Sequence, residues 1–215
     1  MALFNELTAG TIDASKSIRS RGTLQVDNGV SLTPSTTLTG STAGTATAGT
    51  ISVVHENTGV IVRSTFTLTG ARIPVTDGAA SGSFGTLKLF TFPAGGVAIL
   101  GARQNYTAFA EGSALTTAAG DAAFKIALGS VAVAAAADAV LATTSVDIGA
   151  AISLTNSGGT SAGTAHTAGS LAIDGTTTNA TINLNWSGSA ATIDASSTID
   201  VTGTITVVWS SLGDD

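Results

Sequence analysis

Ser161 lies at the centre of Gly159-Thr160-Ser161-Ala162-Gly163, which has the G-x-S-x-G spacing of a serine nucleophile, and His166 follows closely. Such a serine is activated only when a buried strand enters the turn and a helix leaves it, holding the hydroxyl in strain. Here both flanks are small residues, with Asn156 to Gly169 reading as loop, so no catalytic role is assigned. The two histidines, His55 and His166, are too few and too far apart for a zinc spacing. Acidic residues stand singly beside glycine, as in Asp77-Gly78, Gly120-Asp121 and Asp174-Gly175. That is turn chemistry, whereas a calcium loop wants several converging carboxylates. Phosphate-loop and dinucleotide patterns are absent. The residues point away from an enzyme and imply no cofactor and no bound metal.

Charge narrows the partners. The net charge is −6 and only 10% of residues are charged, which argues against nucleic acid, because phosphate binding needs clustered cations. One cluster does exist: Lys16, Arg19 and Arg21 fall in Ser15-Lys16-Ser17-Ile18-Arg19-Ser20-Arg21. It reads either as a solvated stretch or as an arm that docks on an acidic protein surface. The second reading makes these three the candidate contact residues. Mean hydropathy is +0.41, yet Ala swells it, and the longest apolar run, Val131 to Ala137, is far short of the roughly 20 residues of a spanning helix. No membrane association is expected. The start Met-Ala-Leu-Phe-Asn-Glu lacks a basic region followed by an apolar stretch, so assembly in a cytoplasm is expected. Cysteine is absent, which removes disulfides and thiol chemistry.

The elements that must carry these residues read as strands. Ile199, Val201, Gly203, Ile205, Val207 and Trp209 share one face of the last strand, and Asp200, Thr202, Thr204 and Thr206 share the other. Ile182, Leu184 and Trp186 alternate with Thr181, Asn183 and Asn185, and the small-residue linker Ser187 to Ser196 predicts that this stretch pairs antiparallel with the last strand. Ile51 and Val53, then Val60, Val62, Phe66 and Leu68, flank the turn-like Asn57-Thr58-Gly59 and predict a hairpin. Gly85 to Ala110 is apolar with little alternation, as in strands covered on both faces; Lys88 and Arg103 are its snorkelling charges. Within Phe124 to Leu154 the β-branched residues outweigh the Ala run, predicting strands with at most a short helical turn near Ala134 to Leu141.

Residues 1–21 have no sustained period, Gly22 to Val26 reads as one short strand, and Ser31 to Thr50 is almost all Thr, Ser, Ala and Gly. Such a segment buries too little to order itself and is flexible or ordered by a partner. Residues 1–49 are therefore expected to be an extended, low-complexity arm, and 50–215 one β domain. The expected fold class is all-β: an antiparallel, jelly-roll-like β-sandwich with an N-terminal arm.

Pro74-Val75-Thr76-Asp77-Gly78, Gly85-Thr86-Leu87-Lys88-Leu89-Phe90-Thr91-Phe92-Pro93 and Ile99-Leu100-Gly101-Ala102-Arg103 together resemble stretches of a group of tailed-phage virion proteins. The ending, Val201-Thr202-Gly203-Thr204-Ile205-Thr206-Val207-Val208-Trp209 through Asp215, is similar to that group's C-terminus. The resemblance is to capsid decoration or cement proteins. It implies a jelly-roll sandwich that assembles as a homotrimer on the virion, binds the major capsid protein and stabilises the shell. Another class also fits low charge and strands: a receptor- or carbohydrate-binding module of a tail or surface appendage. That class wants exposed aromatic platforms, and aromatic content is only 5%.

Overall fold

The computed structural model describes residues 34–58, 60–78, 82–111, 123–134, 141–155, 163–188 and 197–213. The described residues form ten strands: β1 (Thr42–Ala43), β2 (Thr50–Asn57), β3 (Val62–Asp77), β4 (Ser83–Thr91), β5 (Gly96–Glu111), β6 (Ala123–Gly129), β7 (Gly149–Thr155), β8 (Gly163–Ile173), β9 (Thr181–Gly188) and β10 (Ser197–Gly213). They make one antiparallel sheet in the order β7-β6-β9-β4-β3-β10-β5-β8, with β1 added on β4 and β2 on β3. The sheet curls until its end strands, β7 and β8, lie beside each other. The class is all-β and antiparallel, and the curl makes a sandwich-like roll around a main core.

Strand β10 is the spine of the roll. It pairs with β3 from Ser197 to Trp209 and with β5 from Ile199 to Gly213. Its alternation is realised: Ile199, Val201, Ile205, Val207 and Trp209 are buried, while Thr202, Thr204 and Thr206 lie outward. The predicted β2–β3 hairpin also forms, from Thr50 opposite Thr69 to Asn57 opposite Val62.

The predicted pairing of the Thr181 segment with the last strand does not form. β9 instead pairs with β4 on one side and β6 on the other. Alternation fixes which face of a strand is buried but carries no record of its neighbour. In the Phe124 to Leu154 stretch the described strands are β6 and β7, and a 3-10 turn forms at Thr143–Ser145, beyond the Ala134 to Leu141 segment where a helical turn was expected. Ala134 itself carries no helix; residues 135–140 lie outside the described residues.

Near their shared ends β3 and β4 pair only from Val75 to Asp77, then separate. β3 continues against β2, while the far half of β4 takes β1 at Phe90 and Thr91. Residues 34–49 run between these two branches. Ser35 and His55 exchange two backbone hydrogen bonds at 2.8 and 2.7 Å, and Gly44 N donates to Leu89 O at 2.8 Å. Leu38 and Ala46 pack on the core from this segment. Its small residues are explained by backbone contact, since a Cβ on Gly44 would lie 1.8 Å from Lys88 O.

Candidate functional site

Of the residues singled out from the sequence, Lys16, Arg19, Arg21 and Ser161 lie outside the described residues. His166 is on β8, with its backbone opposite Arg103 of β5. His55 is on β2, 2% exposed, and far from a surface role. Among the described residues no group of three or more His, Asp or Glu side chains converges on a metal position.

His55 belongs to a buried polar chain inside the roll. Trp209 Nε1 donates to Ser64 Oγ at 2.9 Å, and Ser64 Oγ is hydrogen-bonded to His55 Nδ1 at 2.8 Å. The imidazole centroid is 5.3 Å from the ring of Phe90, which in turn meets Phe66 and Phe92 edge-on at 5.6 and 5.2 Å. Burial in this aromatic wall lowers the His55 pKa below its ordinary value. A Ser–His contact so enclosed has no room for substrate; it holds β2, β3 and β10 together.

The surface chemistry is elsewhere. At the end of the roll where the β2–β3 hairpin meets the close of β10, a cleft of about 360 Å³ is lined by Leu38, Asn57, Val62, Pro93 and Trp209, among others. Ser210 Oγ donates to the carbonyl of Val60 at 2.8 Å and ties the two elements. Apolar side chains stand in solvent around this end: Val60 is 72% exposed and Leu212 57%, with Ile61 and Leu100 less so. Leu100 points out because it is the extra residue of a bulge, Ile99 and Gly101 being opposite Trp209 and Val208.

The outer face beside this end is rich in hydroxyl groups. Thr65 and Thr67 of β3 sit directly opposite Thr206 and Thr204 of β10, and Arg103 and Asn105 of β5 continue the same two rows. The charges that flank it are cross-strand pairs. Arg72 donates through Nε and an Nη atom to Asp200 at 2.7 and 2.8 Å, and Arg63 pairs with Glu56. The hydrogen bond to Asp200, and then its charge, raise the Arg72 pKa. Such exposed pairs set orientation more than stability.

Two residues read from the sequence as outward-facing are buried: Asn183 and Asn185 of β9. Residues 130–134 and 141–148 lie over them. Asn185 Oδ1 accepts from Val133 N at 3.1 Å and from Thr86 Oγ1 at 2.8 Å, and Asn185 Nδ2 donates to Val131 O at 2.9 Å and Ser145 O at 3.0 Å. Asn183 Nδ2 adds a bond to Ser130 O at 3.2 Å. Ala127, Val133 and Leu141 make a small second core there, with Phe84 and Val146 against it. The signal that could have found this was the Ala-rich run some fifty residues upstream, which had to cover something.

No protein-family model, curated protein or solved structure matches the chain.

Proposed function

We propose that this protein is a non-enzymatic virion structural protein that binds the outside of a tailed-phage capsid and stabilises the shell. The observation that carries the reading is the surface of the roll: a threonine-rich, sparsely charged sheet face next to a rim of exposed apolar side chains at Val60, Ile61, Leu100 and Leu212. Faces of this kind suit contact with other proteins, because few charges must be desolvated on docking. The resemblance of Gly85 to Arg103 and of Val201 to Asp215 to decoration proteins supports the same reading. In it, the protein assembles as a homotrimer and bridges neighbouring subunits of the major capsid protein. Binding only the assembled lattice stabilises that lattice by mass action.

Lys16, Arg19 and Arg21 are the proposed capsid contacts in this scheme. Trp186 and Trp209, the largest aromatic side chains, are fully buried and so offer no platform for a sugar. The test is gold-labelled antibody against the purified protein, applied to virions of the phage that encodes it. Label over the head supports decoration. Label over the tail, or virions without the protein, overturns it, and a tail position favours the receptor-binding alternative.

A further inference from the structure

We propose that His55 is an acid-sensitive latch that holds residues 34–57 against the roll. The geometry places it at a weak point. β2 is laddered only to β3, and on its other edge the described contact is the two-bond bridge between His55 and Ser35. The same residue that tethers Ser35 through its backbone is inserted by its side chain between Ser64 and Phe90. Ring position and strand position are therefore one coordinate.

The pocket suits only a neutral ring. The inner face here is Ile51 and Val53 of β2, Val62, Ser64 and Phe66 of β3, Phe90 of β4, and Val207 and Trp209 of β10. None of these side chains is charged. The nearest ionic groups in the sequence, Glu56 and Arg63, are paired with each other on the opposite face, and Lys88 of β4 is exposed. The crossing segment contributes the backbone of Ser35 at this point, and its Leu38 beside Val62 and Trp209 is apolar. Among the described residues a protonated His55 thus has no counter-charge, and the neutral hydroxyl of Ser64, which also accepts from Trp209, is the group hydrogen-bonded to its Nδ1. Buried charge without a partner is expelled. Leaving the pocket carries β2 off β3 and frees Ser35, while the β3–β10–β5 ladders stay intact.

The size of the response follows from linkage. If only the opened state protonates, at its ordinary pKa of about 6.5, the opening equilibrium rises about tenfold between pH 7.5 and pH 5.5. Carboxylates contribute little in that window, since they titrate at about 4. Amide hydrogen exchange of the full chain, corrected for intrinsic rates, reads this directly. The amides of Ser35 and His55 are expected to exchange about tenfold faster at pH 5.5, with those of Ile205 and Val207 unchanged. H55Q keeps a polar group toward Ser64 and is expected to lose the response; H166Q is expected to keep it. No acceleration at Ser35 and His55, equal acceleration in every strand, or a response that survives in H55Q overturns the proposal. Should H55Q fail to fold, the His55 imidazole resonances of the wild-type chain decide. Titration in step with the exchange upholds the latch, and exchange that rises while the ring stays neutral overturns it.

Discussion

Gln104 Nε2 on β5 donates to the carbonyl oxygen of Ala150 on β7 at 2.9 Å, reaching across the mouth of the roll. Tyr106 Oη donates to Gln104 Oε1 at 2.8 Å and fixes the amide, while Ala150 N donates to Thr167 Oγ1 of β8 at 2.8 Å. The described residues show no backbone ladder between β7 and β8, so side chains close the seam. Gly149 is part of this closure, because a Cβ there would lie 2.7 Å from Gln104 Nε2. Gln104→Leu keeps the volume and removes the hydrogen bonds to the Ala150 carbonyl and from the Tyr106 hydroxyl. A loss of about 2–3 kcal/mol in urea unfolding is expected, with faster exchange at Ala150 as its local signature.

Tyr106 makes stability fall at high pH. It is fully buried, and burial raises its pKa well above the ordinary 10.0. The folded chain therefore keeps a proton that the unfolded chain gives up. The contribution is fully present below about pH 10 and is lost as the pH rises from there toward the folded pKa. Tyr106→Phe is expected to flatten the decline between about pH 9.5 and 11, measured as unfolding midpoints across the alkaline range. An unchanged slope would place the alkaline sensitivity elsewhere.

The Asn185 contacts predict a local effect of a different kind. All four hydrogen-bonding positions of its amide are used, three of them on the backbone of Val131, Val133 and Ser145. Asn185→Ala removes the tether and leaves those groups to find water. The expected cost is about 3 kcal/mol, with accelerated exchange at Val133 and unchanged exchange in β10. Asn183→Ala, whose bonds to Gly129 and Ser130 are longer at 3.5 and 3.2 Å, is expected to cost less.

How much of this was legible in the residues depends on the distance over which a cause acts. The inward row of β10 and the β2–β3 hairpin follow from alternation and a short turn, and both are present. Partner choice is a long-range matter, and β9 shows it: its own pattern gave the buried face, but nothing within it named β4 and β6. Asn183 and Asn185 have the composition of a wet face and become dry only because a stretch some fifty residues upstream lies over them, 52 residues separating Val133 from Asn185. Low complexity misled in the same way. Ala46 and Gly44 lack the bulk to make a core, yet a segment that must cross between two diverging strands needs small residues for that reason.

Two glycines separate steric fit from backbone strain. Gly44 has an ordinary φ, but a Cβ there would lie 1.8 Å from Lys88 O and 2.7 Å from its carbonyl carbon, both backbone atoms that cannot swing away. Gly70 has a φ of +56° and nothing within 4 Å of its would-be Cβ. Substitution to Ala therefore tests two different costs. Gly70→Ala is expected to lose about 1–2 kcal/mol, the penalty of a left-handed residue in open space. Gly44→Ala must push the crossing segment away from β4, break the Gly44–Leu89 hydrogen bond and lift Leu38 and Ala46 from the core, and is expected to lose more than that. Urea unfolding gives the order of the two losses, and exchange at Gly70 and residue 44 locates them. A Gly44→Ala protein as stable as the parent would mean that residues 34–49 do not lie against β4 in solution.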